Sequence, residues 1–250
     1  MRASRFVLPI SVMAAWAATC LWLGVGMLHA QQGAVTAQVE ISRPSAGGHG
    51  GGGGNASDAS NVVVWLTPMD AAAAAAAPRR AAPQLVQRNK TFEPHMLVIQ
   101  AGSMVDFPNK DPFLHNVFSL FDGKRFDLGF YEAGSSRTVH FDRAGVSFLF
   151  CNIHPEMSAV VVAVDSPYFA QSDRAGHVTI QDVPDGRYRT QVWYERSLTD
   201  DLKTQSRMVT ISAATRTLPA IQLVENPNFT LEHKNKYGQD YAPPAAATPY

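Results

Sequence analysis

The sequence predicts an all-β protein built from two β-sandwich units. Apolar or alternating segments of about four to seven residues recur along most of the chain, and turns rich in Gly, Pro, Asn and Asp separate them. From residue 84 onward no segment shows helical spacing. The 250 residues fit two domains of roughly 100–200 residues each, and the 46% hydrophobic content is enough to form their cores.

Residues 1–30 have the pattern of an export signal. Arg2 and Arg5 precede a long apolar run, and Ala30 is a plausible cleavage residue. We therefore expect a periplasmic or exported protein, without a membrane span in the mature chain. Because the run is long for a signal peptide, an uncleaved N-terminal anchor is the alternative. Cleavage would leave Cys151 as the single cysteine.

Residues 31–70 predict a β-hairpin whose two strands, 34–42 and 61–66, are separated by a glycine-rich loop. Residues 71–83 contain seven consecutive alanines followed by a proline-bounded segment. Polyalanine favours helix, but the prolines and the lack of an apolar face indicate a linker. A domain boundary is expected here.

Residues 84–165 predict the first β-sandwich, and residues 166–225 predict a second, smaller one. In the second unit, a turn at 183–186 separates two strand-like segments. Residues 226–250 are rich in Pro, Ala and Asn and predict a flexible tail.

A short loop after an apolar run carries the strongest chemical signal. Cys151, His154 and Met157 follow one another at intervals of three residues, and His115 follows another apolar segment. Each residue alone is more often a packing residue. Together they form the His₂Cys set with a weak axial Met that is typical of blue-copper electron transfer. The sequence therefore predicts one copper ion per chain.

These residues resemble those of cupredoxins. The matching elements are residues 102–107, the His-Asn-Val segment that begins at His115, and residues 145–157; the short Cys-x-x-His-x-x-Met loop is similar to that of amicyanin. The resemblance covers residues 84–165 and implies a Greek-key β-sandwich or barrel. It also implies that Asn116 ties the two ligand loops together, while Pro155 stiffens the loop by fixing φ. The wider pattern resembles periplasmic cupredoxins labelled methylamine-utilisation proteins.

A second resemblance concerns residues 173–188, which are similar to a motif of the carboxypeptidase regulatory-like (transthyretin-like) sandwich. In that family a hairpin precedes the motif, and residues 34–42 and 61–66 resemble it. We therefore hypothesise that the cupredoxin unit is inserted into a discontinuous second sandwich. Contacts between Trp65 and residues 187–194 would support this hypothesis.

The predicted function is one-electron transfer between transient redox protein partners, not enzymatic catalysis. Formal net charge is zero, so no basic field indicates nucleic-acid binding. Multicopper enzymes need additional histidine clusters, and the sequence has no His-x-His pair. Cys151 and His154 lack a third group that would orient them for nucleophilic catalysis. Two alternatives stay open: a copper carrier or store, and a non-redox binding or structural β-protein.

Overall fold

The computed structural model describes residues 32–43, 58–71, 82–120 and 123–241. The predicted export signal, the glycine-rich loop and most of the predicted linker lie outside these residues. Within them the protein is almost entirely β-structure, which confirms the all-β prediction. The strands are β1 (Gln32–Ser42), β2 (Val63–Pro68), β3 (Val86–Arg88), β4 (Thr91–Glu93), β5 (Met96–Gln100), β6 (Ser103–Pro108), β7 (His115–Ser119), β8 (Phe126–Tyr131), β9 (Ser136–Phe141), β10 (Gly145–Phe150), β11 (Ser158–Val164), β12 (Phe169–Gln171), β13 (His177–Pro184), β14 (Gly186–Trp193), β15 (Arg207–Ile211) and β16 (Ile221–Val224).

One short helix, α1 (Thr199–Thr204), follows β14 and was not predicted. Asp200 and Asp201 lie in its first turn, where acidic side chains favour the helix dipole. Across the described ranges, no helix has both the length and the apolar character needed to cross a membrane.

The first sandwich contains a five-stranded sheet in the order β5-β11-β10-β7-β8, the strand pair β6–β9 and the hairpin β3–β4. Strand β11 explains how this sheet is covered on both faces. Its residues Ala159, Val161 and Ala163 belong to the core of the first sandwich, whereas Val160 and Val162 belong to a separate apolar cluster on the opposite face. Since side chains alternate along a strand, a nearly continuous apolar sequence is what a doubly covered strand requires.

The second sandwich pairs a four-stranded sheet, β12-β2-β14-β15, with a three-stranded sheet, β13-β1-β16. Strand β2 lies antiparallel to β14, and Trp65 is opposite Gln191 in this register. The predicted hairpin of residues 31–70 is wrong, because β1 pairs with β13 and β16 whereas β2 pairs with β12 and β14 in the other sheet. Strands β1 and β2 precede the first sandwich in sequence, and β12 to β16 follow it. The second sandwich is therefore discontinuous, with the first sandwich inserted between its strands.

The two sandwiches meet through an apolar interface between their sheets. Val160 and Val162 of β11 cluster there with Val63 of β2 and Phe169 of β12, and Phe148 lies edge-on to Trp193 with ring centroids 6.4 Å apart. This interface therefore covers part of the outer face of the five-stranded sheet.

Candidate metal centre

Strand pairing brings the first two candidate ligands to one end of the first sandwich. Strand β7 begins at His115, and Cys151 directly follows β10. The two strands are antiparallel neighbours, with Phe118 opposite Phe150. The start of β7 and the end of β10 therefore lie at the same edge, although 36 residues separate the ligands in sequence.

The side chains of His115, Cys151 and His154 converge at this edge. Their ligand atoms all lie within 4.8 Å of one another. The Cys151 sulfur is 3.8 Å from His115 Nδ1 and 3.5 Å from His154 Nδ1. His115 and Cys151 are fully buried, whereas His154 is partly exposed. In both histidines Nδ1 is therefore the ring nitrogen that faces the Cys151 sulfur.

These spacings match those of ligands around one small metal ion. A metal about 2.0–2.1 Å from imidazole nitrogen and about 2.3 Å from thiolate sulfur, with ligand angles of about 110–120°, would separate sulfur and nitrogen by about 3.5–3.8 Å. The observed distances of 3.5 and 3.8 Å fall within that range. The three donor atoms thus have the spacing that the predicted copper ion requires.

The loop that carries Cys151, His154 and Met157 is closed by its own backbone. The Met157 N–H donates to His154 O at 3.1 Å, and the Cys151 N–H donates to Met157 O at 3.3 Å. Met157 is fully buried in the same apolar cluster as Cys151. Pro155 is exposed in the middle of the loop, where its ring restricts φ.

The environment of the site shifts the pKa values of the Cys151 thiol and the His154 imidazole in opposite directions. Burial raises the pKa of the Cys151 thiol. Three backbone N–H groups oppose this effect by donating to the sulfur, those of Asn116, Ile153 and His154. Burial, together with the nearby His115, lowers the pKa of His154 and so favours the neutral imidazole. A metal binds the neutral imidazole and the deprotonated thiolate, so the lowered pKa of His154 favours binding, whereas the raised pKa of Cys151 means that the ion must displace the thiol proton.

A buried carboxylate that was not predicted from the sequence, that of Asp111, accepts a hydrogen bond from the other nitrogen of the His115 ring. Asp111 Oδ2 lies 2.8 Å from His115 Nε2, and the aspartate side chain is only 5% exposed. Since a carboxylate accepts, His115 Nε2 carries the hydrogen and Nδ1 is left as the metal-binding nitrogen. Such outer partners fix the tautomer and orientation of ligand histidines.

The hairpin β3–β4 in turn holds Asp111. Its two-residue turn, Asn89-Lys90, has positive φ at both residues, as a tight hairpin requires. The Asn89 N–H donates to Asp111 Oδ1 at 2.6 Å, and the Lys90 N–H donates to Oδ2 at 2.9 Å. Burial alone would raise the pKa of Asp111, but these bonds and the one from His115 hold it below its ordinary value.

Asn116, which the sequence predicts to tie the ligand loops together, is anchored to β8 through its side chain. Its Nδ2 donates to Asp127 Oδ1 at 2.7 Å and to Gly129 O at 3.0 Å, while its backbone N–H is one of the groups that lower the pKa of Cys151. Asp127 also accepts from Lys236 Nζ at 2.7 Å.

Lys236 belongs to a segment of the predicted tail, residues 226–241, that lies against the ligand loop. The Lys236 N–H donates to Asn152 Oδ1 at 3.1 Å, and the Tyr241 hydroxyl donates to Cys151 O at 2.7 Å. The His233 ring stacks on Phe150, with centroids 3.9 Å apart. These contacts could not be expected from the sequence, because composition alone does not show where an irregular segment packs.

Exposed apolar side chains surround the edge of His154. Phe113, Leu114 and Ile153 are 38%, 47% and 44% exposed. The Phe113 ring lies 5.7 Å from the His154 ring, between centroids. The partly exposed imidazole therefore sits in a small apolar rim.

Comparison with known proteins gave structural similarities alone. No family model matches the sequence, and no curated protein matches it. Among solved structures, a purple cupredoxin from Nitrosopumilus maritimus is 23% identical and covers 33% of this chain and 99% of its own, with a TM-score of 0.31. A copper-containing nitrite reductase from Thermus scotoductus is 20% identical and covers 35% of this chain and 23% of its own, with a TM-score of 0.33. A reduced amicyanin variant is 22% identical and covers 36% of this chain and 90% of its own, with a TM-score of 0.32.

Proposed function

We propose that this protein is an exported type 1 copper protein that carries single electrons between transient protein partners. The observation that carries the proposal is the pair of sulfur–nitrogen distances, 3.5 and 3.8 Å, between Cys151 and two histidines at one edge of the first sandwich. Bound copper would supply one-electron exchange between Cu(II) and Cu(I).

The chain's own residues would hold the ion rigidly. Cys151 would bind as thiolate, and His115 and His154 would each bind through Nδ1. Met157 is the candidate for the weak axial ligand. Asp111 fixes His115, and three backbone N–H groups fix the sulfur, so little has to move when the charge of the centre changes.

Electrons would enter and leave through the exposed edge of His154. The rim of Phe113, Leu114 and Ile153 provides an apolar surface on which a partner can dock. Redox partners of this kind use small, transient interfaces. In this proposal the protein is a carrier and not an enzyme.

A copper carrier or store remains the alternative. Delivery of the ion would need ligands that exchange easily, whereas Cys151 and His115 are fully buried and hydrogen-bonded. These features favour retention of copper during turnover. The non-redox alternative predicts no coloured copper complex.

Titration of the mature, metal-free chain with Cu(II) under visible absorption tests the proposal. We expect an intense thiolate–copper band that saturates at one copper per chain and is bleached by ascorbate. Cys151→Ser removes the thiolate and should abolish the band, while His177→Gln, an exposed histidine in the second sandwich, should leave it unchanged.

Three outcomes would contradict the proposal. A band that survives Cys151→Ser would mean that the ligand assignment is wrong. Absence of colour in the folded wild-type chain would favour the non-redox reading. A coloured complex that loses its copper to a weak chelator within minutes would favour the carrier or store.

A further inference from the structure

Each of the two buried candidate ligands is followed directly by an asparagine. Asn116 comes after His115 in β7, and Asn152 comes after Cys151 in the ligand loop. The side chain of Asn116 donates to Asp127 Oδ1, at 2.7 Å, on β8. A link from this side chain to the ligand loop must therefore pass through a further residue.

Lys236 of the tail segment is that residue, because it is linked to both asparagines. Its backbone N–H donates to Asn152 Oδ1 at 3.1 Å, and its Nζ donates to Asp127 Oδ2 at 2.7 Å. Asp127 uses its other oxygen to accept from Asn116. One tail residue thus connects, through its main chain and its side chain, the residues that directly follow the two buried ligands.

The ion pair in this connection is more strongly held than an ordinary surface pair. The Lys236 side chain is only 17% exposed, and Asp127 also accepts the Gly129 N–H at 3.0 Å. Burial would raise the pKa of Asp127, but the bonds from Lys236, Gly129 and Asn116 hold it below its ordinary value. A charge-assisted bond between groups that are fixed on both sides restrains its partners, which a pair of free surface side chains does not.

Strand pairing leaves such a restraint necessary at the ligand edge. Strands β7 and β10 are registered at Phe118 and Phe150, three residues beyond His115. The ligand loop that follows β10 is closed by its own backbone bonds, between Cys151 and Met157 and between Met157 and His154. These local bonds fix the shape of the loop, but they do not fix its position relative to the start of β7.

We propose that Lys236 is a positioning residue of the candidate metal centre: by holding Asn116 and Asn152 together, it restrains His115 and Cys151 relative to each other. The effect on copper rests on the proposed function. The restraint itself is a property of the metal-free chain, so it can be measured separately.

Hydrogen exchange in the metal-free full chain tests the restraint. Lys236→Met removes the ammonium and keeps the backbone N–H; Lys234→Met is the matched control, since the Lys234 side chain is 62% exposed and its Nζ lies 3.5 Å from Asp240 Oδ1. We expect Lys236→Met to speed exchange of the Cys151 and Met157 N–H groups about threefold or more by local opening, and to leave β14 unchanged. Lys234→Met should change neither. Unchanged exchange in the loop, or an equal increase in β14, would overturn the proposal.

The copper-loaded chain supplies a second readout. Loss of a direct outer partner of a ligand costs about 10–100-fold in metal affinity, and Lys236 acts one bond further out, so we expect Lys236→Met to lose copper to excess chelator about three to ten times faster. Its thiolate–copper band should also shift, which a loss of overall stability alone would not cause. Lys234→Met should match the wild type in both. A wild-type band and rate in Lys236→Met would contradict the proposal.

A double-mutant cycle tests whether Lys236 acts through Asp127. Asp127→Ala removes the shared carboxylate, so adding Lys236→Met to it should change the rate of copper loss no further, whereas additive effects would contradict the connection. Failure of this inference is distinguishable from failure of the proposed function. A wild-type chain that forms no coloured complex contradicts electron transfer, and hydrogen exchange in the metal-free chain still decides whether Lys236 restrains the ligand loop.

Discussion

Two aspartate–histidine pairs with the same sequence spacing lie in the two sandwiches, Asp111–His115 in the first and Asp173–His177 in the second. The first is buried, with side chains 5% and 0% exposed and a separation of 2.8 Å. The second is exposed, at 60% and 67%, with a separation of 3.4 Å.

The surroundings of the two pairs differ as much as their burial. Backbone N–H groups of another hairpin hold Asp111, whereas Asp173 accepts N–H groups from its own turn, those of Ala175 and His177. The exposed pair closes a turn, and the buried pair orients a histidine toward a cysteine. The same spacing therefore serves local structure in one region and a candidate metal site in the other.

Removal of each histidine gives the largest contrast. His115→Ala deletes a predicted ligand, so copper affinity should fall by more than the roughly 10–100-fold expected for an outer partner. His177→Ala should leave affinity unchanged. Competition with a chelator of known affinity measures both. Equal losses would show that the buried pair has no special role.

The aspartates give the next largest effect. Asp111→Asn removes the charge and one of the two acceptor oxygens that Asn89, Lys90 and His115 share, so His115 is held less well, and we expect about a 10–100-fold loss of copper affinity together with a shift of the visible band. Asp173→Asn is the matched control and should change neither. A stable, folded Asp111→Asn protein with the wild-type band and affinity would show that His115 needs no carboxylate to orient it.

This contrast also shows what the sequence could reveal. The loop from Cys151 to Met157 is local, so the spacing of its candidate ligands can be read directly, and the prediction of His115 rests on the need for a second histidine. Asp111 was missed because an aspartate in a turn-rich segment is ordinary. Only the fold shows that it is buried while Asp173 is not.

The tail contacts were not predictable for a different reason. Tyr241 lies 90 residues beyond Cys151, in a segment without strand periodicity. A single long-range hydrogen bond requires neither a particular composition nor a particular hydrophobic pattern, so it cannot be read from the sequence. The strands that form the sandwiches, by contrast, repeat a local alternation that is visible in the sequence.

Removal of the Tyr241 hydroxyl tests whether the tail stabilises the backbone at Cys151, which lies next to the buried Asp111–His115 pair. Tyr241→Phe deletes the bond to Cys151 O and should lower the free energy of unfolding by about 0.5–1.5 kcal/mol. Tyr237→Phe is the control, since Tyr237 is 71% exposed. Urea denaturation measures both; equal changes would show that the tail contact contributes nothing specific.

A third histidine–carboxylate pair, His95–Glu195, is intermediate in exposure between the other two pairs. It connects the two sandwiches. The His95 side chain is 37% exposed; its Nε2 lies 2.9 Å from Glu195 Oε2 and its Nδ1 lies 3.2 Å from Ser158 O. Both ring nitrogens face acceptors, so the pair favours the protonated ring. Accordingly, Glu195 raises the pKa of His95, against the opposing effects of burial and of Arg196.

The sign of the resulting pH dependence follows from the raised pKa. Stabilisation by this pair is fully present below the unfolded value of 6.5 and is lost as pH rises through the higher folded value. Because the pair is partly exposed, we expect less than about 1 kcal/mol. In the metal-free chain, the difference in unfolding free energy between wild type and His95→Gln should shrink from about pH 6 to about pH 8, over the range where histidine titrates. His177→Gln, at the exposed pair, should show a smaller change. A difference that grows with pH would mean that His95 is neutral in the folded protein and that burial, rather than Glu195, sets its charge.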